Sequence, residues 1–282
     1  GASAGATVDG LTFGSGGSSS IARGLVINRF LRDSGAGTPA GNGINLTSGG
    51  AQSVTGNFIG TDVSGLLDLG NGGAGVACAA NNVTIGGASL DAINLISGNS
   101  GDGVAFSNSN SDVVQNNLIG TMANGVTALG NGGNGISFAG GGSLFNTLGG
   151  VAAVEGNTIR SNGADGVRLF DAGVGNGIRG NSIYANGSTA NDLGVDLGAD
   201  GVTANDALDG DSGPNALQNF PVITSAIVTG STKTITGTLN SVASATFDID
   251  FYASASCDAG GNGEGQVYLG TTQVTTDGSG NV

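Results

Sequence analysis

The sequence predicts an all-β protein: a parallel β-helix of about six coils, followed by an antiparallel β-sandwich that is apparently incomplete. Three observations predict it. A segment recurs with a period near thirty residues, and such a period marks a repeat architecture. The repeated units are rich in glycine and asparagine and hold short β-branched pieces, with no stretch patterned for a helix. From Phe220 onward the glycine repeat gives way to ordinary strands that alternate apolar and polar residues.

The period shows first in a near-duplication. Residues 57–76 read NFIGTDVSGLLDLGNGGAGV and residues 117–136 read NLIGTMANGVTALGNGGNGI, with eleven of twenty positions identical. A Gly-Val or Gly-Ile step after a small polar run ends at Ile44, Val76, Val104, Ile136, Val167 and Val195, at intervals of 32, 28, 32, 31 and 28. A second marker falls between these steps: VTGNFI from Val54, VQNNLI from Val114, VEGNTI from Val154 and IRGNSI from Ile178. The near-duplication therefore spans two units. A propeller blade needs four alternating strands in roughly 40 to 45 residues, so pieces this short suit one coil of a parallel β-helix. Six coils are expected from about Ile21 to Gly198.

Stacking then assigns roles to residues. Coils about 4.8 Å apart place like positions above one another. Ile59, Ile119, Ile159 and Ile183 are expected to point inward as an aliphatic column. Asn57, Asn117, Asn157 and Asn181 are expected at sharp corners, tolerating left-handed backbone and bonding to one another as a ladder. The loops TDVSGLLDLGNGG and TMANGVTALGNGG should protrude from one side.

Composition narrows function. Glycine supplies 58 of 282 residues, about a fifth, without the three-residue period of collagen. Hydrophobic residues at 38% still permit a core, aliphatic rather than aromatic, because there is no Trp and only three Tyr. A formal charge of -14 repels polyanions, which makes nucleic acid or an anionic membrane a poor partner and a cation a better one. Nineteen of the 21 acidic residues are Asp and two, Glu155 and Glu264, are Glu, a bias toward turns. The absence of histidine removes the commonest general base, the usual Ser and Cys triads and most zinc sites. No apolar run is long enough to span a bilayer. Gly1 does not begin a signal peptide, so the chain reads as a mature protein or as a piece of a longer one.

The phrases IARGLVINRF, NxIGT, LGNGGxGV, ISGNSGDGV and GNTIRSNGADGV resemble the right-handed parallel β-helix repeat proteins found in large secreted and surface-exposed bacterial proteins. The resemblance covers roughly Leu11 to Asn219 and implies right-handed coils, a pectate-lyase-like fold and an extracellular location. Fold does not carry activity. The first unit is thus residues 1–215, closed by the acidic stretch NDLGVDLGADGVTANDALDGDSGPN with six aspartates. Asp209, Asp211 and Asn215 offer oxygen ligands for Ca2+ at short spacing, or else belong to a solvated loop of turn-forming residues.

The second unit is residues 216–282. In TITGTL, Ile235 and Leu239 share a face; in TFDIDF, Phe247, Ile249 and Phe251 do, leaving Asp248 and Asp250 for solvent. The phrases NFPVITSA, FYASASCDAGGNGEG and YLGTTQVTTDGSGN resemble the immunoglobulin-like module that follows such β-helices. That module wants about seven strands, and four or five are legible. The resemblance predicts another strand after DGSGN; either the chain is cut short or another molecule donates a strand by β-augmentation. Cys78 reads as a small buried hydrophobe, and Cys257 need not pair with it.

An enzyme on acidic polysaccharide is disfavoured: there is no Asp-Asp pair, no His, one Lys (Lys233), and Arg160, Arg168 and Arg179 read as surface residues flanking the core. A glycan binder would need aromatic platforms, but Phe30, Phe58, Phe106, Phe138 and Phe170 read as core or near-core. The remaining expectation is a non-catalytic extracellular structural protein with no catalytic residue and no cofactor unless Ca2+. It would be a rigid surface stalk, an adhesin or a filament subunit. Its partners would be other copies of itself or surface glycans.

Overall fold

The computed structural model describes residues 8–31, 41–171, 173–189, 191–256 and 261–282. Each coil is three short strands joined at corners. The first coil holds β1 (Leu11–Phe13), β2 (Ile21–Arg23) and β3 (Val26–Ile27), and the second β4 (Ile44–Leu46), β5 (Ser53–Thr55) and β6 (Phe58–Ile59). The third holds β7 (Val76–Cys78), β8 (Thr84–Gly86) and β9 (Leu95–Ile96); the fourth β10 (Val104–Ser107), β11 (Val113–Gln115) and β12 (Leu118–Ile119). The fifth holds β13 (Ile136–Ala139), β14 (Thr147–Gly149) and β15 (Thr158–Arg160); the sixth β16 (Val167–Phe170), β17 (Gly177–Arg179) and β18 (Ser182–Tyr184). β19 (Val195–Leu197) starts a seventh turn. Like strands pair in parallel, giving one sheet of seven strands and two of six. Six complete coils are present, but the first starts at Leu11, one strand earlier than the expected Ile21, because LTF lacks the Gly-Val marker while pairing with β4 in the same register.

The core is a set of stacked columns. Ile44, Val76, Val104, Ile136, Val167 and Val195 are successive partners in the first sheet, as their spacing predicts. Ile27, Ile59, Ile96, Ile119, Ile159 and Ile183 form one column in the third sheet. Burying one such side chain fully is worth about 1.5–3 kcal/mol. Cys78 fills the column between Leu46 and Phe106 as a small hydrophobe, and Phe106 and Phe138 stack with centroids 4.6 Å apart. Cys257 lies outside the described residues.

One marker misled. The second-sheet column runs Val54, Ile85, Val114, Leu148 and Ile178, and its fifth-coil member is Leu148 rather than Val154. Val154 stands 39% exposed in a turn inserted between Gly149 and Asn157. Only the valine of VEGNTI is displaced, since Asn157 and Ile159 keep their places while the second-sheet strand lies further back.

At the corner between the second and third sheets, the left-handed residue is the one before the ladder asparagine: Gly56, Asn116 and Gly180 have φ of 66°, 57° and 64°. Elsewhere glycine is required by proximity. A Cβ on Gly103 would sit 2.6 Å from the Gly135 carbonyl oxygen and 2.7 Å from Cγ2 of Ile119. The glycines ahead of Ile44, Val76, Val104, Ile136 and Val167 therefore have no room for a side chain.

The duplicated loops do not simply protrude. Each closes on itself through a bridge, Thr61 with Asp68 and Thr121 with Ala128. Ala123 N donates to Gly65 O at 3.0 Å, so the loops of the second and fourth coils meet across the third, which has none. Together they cover Leu95 on the outer face of the third sheet, leaving it 1% exposed.

The C-terminal region forms two antiparallel hairpins, β20 (Val222–Thr229) with β21 (Thr232–Thr238), and β22 (Thr246–Ala253) with β23 (Val267–Thr275). Leu239 and Val282 exchange both backbone hydrogen bonds, at 2.9 and 3.0 Å, which ties the end of the second hairpin to the first. Val282, the residue after DGSGN, thus pairs just beyond the end of β21. Between the hairpins runs an apolar groove of about 210 Å³ lined by Ile223, Ile235, Leu239, Ile249, Phe251 and Val274. There is no α-helix among the described residues, and none of their helical turns is long or apolar enough to cross a membrane.

Candidate functional site

The expected ladder exists and has one more rung. Asn57 Nδ2 donates to Asn94 Oδ1 at 3.0 Å, Asn94 to Asn117 at 2.9 Å, Asn117 to Asn157 at 2.9 Å and Asn157 to Asn181 at 2.8 Å. Asn94 escapes sequence reading because AINLI lacks the glycine of GNxI. Asn157 is fully used: its Nδ2 donates to Val114 O and to Asn181 Oδ1, while its Oδ1 accepts both Asn117 Nδ2 and the Asn117 backbone N–H. Both amide hydrogens and both lone pairs are satisfied in a site excluded from water, where an unpaired group would be costly.

A second column, between the third and first sheets, was not anticipated. Asn71, Asn99, Asn131, Asn162 and Asn186 are linked Nδ2 to Oδ1 at 2.8, 2.9, 2.9 and 2.9 Å. Its signal was an asparagine five positions before Val76, Val104, Ile136 and Val167. A third, at the corner between the first and second sheets, runs Asp112, Asn146, Asn176 and Asn215.

That column corrects the candidate metal set. Asn215 accepts from Asn176 N at 3.0 Å and donates to Asn176 O at 2.7 Å, so its amide is committed to closing a ladder. The cluster is instead Asp206, Asp209 and Asp211, with one carboxylate oxygen of each within 4.8 Å of the others. Asp206 accepts from Gly210 N; Asp209 accepts from Asn219 N at 2.8 Å and Ser241 Oγ at 2.7 Å. Oδ1 of Asp211 is shielded from solvent and has no hydrogen-bond partner. Loss of hydration, then the charges of Asp206 and Asp209, raise the Asp211 carboxyl above its ordinary value. Three converging carboxylates with one oxygen unpaired form part of the hard-oxygen set a divalent cation takes.

The open end of the solenoid is covered by the second hairpin. Arg179 of the sixth coil pairs bidentately with Asp250, Nε to Oδ2 at 3.0 Å and Nη2 to Oδ1 at 2.7 Å, and reaches Asp248 through Nη1 at 2.6 Å. The reading of Asp250 as a solvent-facing residue, and of Arg179 as a flanking surface residue, is thereby corrected, while Asp248 stays exposed as it pairs: period two fixes which residues share a face, not what the outer face meets. Ile183 N donates to Gly265 O at 2.8 Å, Ser182 Oγ to Gln266 O at 2.6 Å and Gly180 N to Tyr252 Oη at 2.8 Å. Residues 264–266 take the place of a further strand.

Among the aromatics, Phe106 and Phe138 are core, Phe58 is half-buried and Phe30 packs against the core. Phe170 departs from expectation: it is 53% exposed, with the Arg168 guanidinium 5.6 Å from its ring centroid. It is the last residue of β16, where the strand runs out past the corner.

No protein-family model matches the chain, and comparison with curated proteins finds no match.

Proposed function

We propose that this chain is a non-catalytic structural protein of the extracellular space, a rigid rod serving as a surface stalk or adhesin or as a filament subunit. The observation that carries this reading is the set of asparagine columns. They commit the polar side chains at the corners to neighbouring coils, along the length of the rod, and leave them no role toward a ligand. The resemblance of the repeat phrases to secreted bacterial β-helix proteins supports the location.

The capped C-terminal end of the solenoid argues against direct coil-on-coil stacking there. In a filament the joint is instead the apolar groove between the hairpins, which accepts a strand from a neighbouring copy by β-augmentation. Calcium at Asp206, Asp209 and Asp211 would brace the junction.

Electron microscopy of the purified full chain, with Ca2+ and with a chelator, tests the reading. Filaments with a repeat near the length of one rod plus its hairpins support a polymer subunit; isolated stiff rods support the stalk. Specific retention on a neutral glycan column, reduced by Phe145→Ala or Phe170→Ala at two exposed rings, would replace both with carbohydrate binding.

A further inference from the structure

The third asparagine column has one rung of a different kind. Asp112, with none of its surface exposed, occupies the position that Asn146 and Asn176 hold in the next two coils. Its Oδ1 behaves as an asparagine oxygen, accepting from Val83 N at 2.8 Å. Its Oδ2 stands where the asparagines carry an amino group, and those amino groups donate to backbone oxygens, Asn146 to Ser109 O at 3.0 Å and Asn176 to Ser143 O at 3.0 Å. Opposite Oδ2, at 2.5 Å, lies the hydroxyl of Ser109.

Counting protons decides the state of this group. Ser109 Oγ is also hydrogen-bonded to Ala80 O, which can only accept. One hydroxyl has one proton. If Asp112 were ionised, Ser109 would face two acceptors and satisfy one, leaving two lone pairs opposed in a buried site. With a proton on Oδ2 the chain closes: Asp112 donates to Ser109 Oγ, and Ser109 donates to Ala80 O. Cys78 Sγ, 3.4 Å from Ala80 O and 3.5 Å from Ser109 Oγ, supplies a weak donor of its own.

We propose that Asp112 is protonated in the folded rod, and that this corner is a proton-linked latch holding the third and fourth coils most firmly in acidic solution and loosening toward neutral pH. Burial supports it, pushing the Asp112 carboxyl up to about 6 against the weaker opposing pull of its Ser109 and Val83 bonds. Cys78 is the other titratable group facing it, and burial first of all pushes that thiol up to about 12, so it stays neutral. No cationic side chain acts on Asp112.

The sign follows from linkage. Between the ordinary Asp value of 3.8 and about 6 the unfolded chain has released this proton and the folded chain has not. Stability from this group is therefore full below about 4, falls as pH rises to about 6, and stays reduced above it. A shift from 3.8 to about 6 corresponds to roughly a hundredfold in the folded-to-unfolded ratio.

The test is Asp112→Asn in the full chain, since asparagine keeps the Oδ1 acceptor and places a permanent donor at Oδ2. Urea unfolding at pH 4 and pH 7.5 should give equal midpoints at pH 4 and a higher midpoint for the variant at pH 7.5. A difference between variant and parent that does not change with pH overturns the latch. Should the variant fail to fold, isotope-edited infrared spectroscopy of the parent, labelled at the Asp112 carboxyl alone, reads the same group. A protonated-carboxyl band at pH 5 that disappears with a midpoint near 6 supports the latch, and its absence at pH 5 overturns it.

Discussion

Glu264 stands to Asn186 as each asparagine of the second column stands to the one before it. Asn162 N donates to Asn186 Oδ1 at 3.2 Å, and Asn186 N donates in turn to Glu264 Oε1 at 3.2 Å, while Ala185 N donates to Oε2 at 2.5 Å. The column that begins at Asn71 thus ends on a carboxylate carried by the C-terminal region. Solenoids leave edge amides unpaired at their ends, and unpaired edges invite association. Here the chain covers one end with its own acceptor.

Replacing Glu264 by alanine should uncap Ala185 and Asn186. A loss of about 1–2 kcal/mol is expected, because two amides lose a charged acceptor in a partly exposed site. Hydrogen exchange at those two amides is the direct readout, and Glu264→Gln should restore part of the protection. Unchanged exchange in the alanine variant would show the cap to be ornamental.

The Arg179 junction should loosen in acid. Loss of hydration pushes the Asp250 carboxyl up, but its bonds to Arg179 and Thr271 outweigh this and hold it below its ordinary value. A lowered folded value means stability that is present above the unfolded value near 4 and lost as pH falls through the folded one. Limited proteolysis at residues 261–266 should therefore accelerate below pH 4. Arg179→Ala should show that fast cleavage already at pH 7.

Asn117 lies in the middle of its ladder. Asn117→Ala leaves one Asn94 Nδ2 hydrogen and the Ile85 carbonyl without their side-chain partner in the core and takes one of two donors from Asn157 Oδ1, and about 2–4 kcal/mol of destabilisation is expected. Chemical denaturation measures it. Asn181→Ala, at the ladder's end, should lose less because one neighbouring rung is involved instead of two.

A methyl group separates close approach from open space. Gly103→Ala drives a Cβ against Gly135 O and Ile119 Cγ2 and should destabilise by about 2 kcal/mol or more. Gly14→Ala meets nothing within 4 Å and should be nearly neutral. Melting temperatures of the two variants provide the comparison.

Sequence alone determined the coil. The Gly-Val spacing fixed the register of the first sheet, and GNxI fixed Ile59, Ile119, Ile159 and Ile183 in one column, because parallel stacking repeats a position only when the same residue types recur there. The Asn57, Asn117, Asn157 and Asn181 ladder was legible for the same reason. Asn94 and Leu148 were not, since corner insertions change the local spacing while the strands keep their alignment.

Tertiary structure alone decided the contacts that join segments with no shared period. Asp248 and Asp250 alternate as a solvent face would, and only docking brings them onto Arg179, seventy residues away by chain but adjacent in space. Asn215 sits in an acidic loop, yet closes the third ladder on Asn176, and Asp206 takes the place in the carboxylate cluster that spacing had given it. Periodicity encodes what each coil presents to the next coil; where the repeat ends, the partner is chosen by shape and charge in three dimensions.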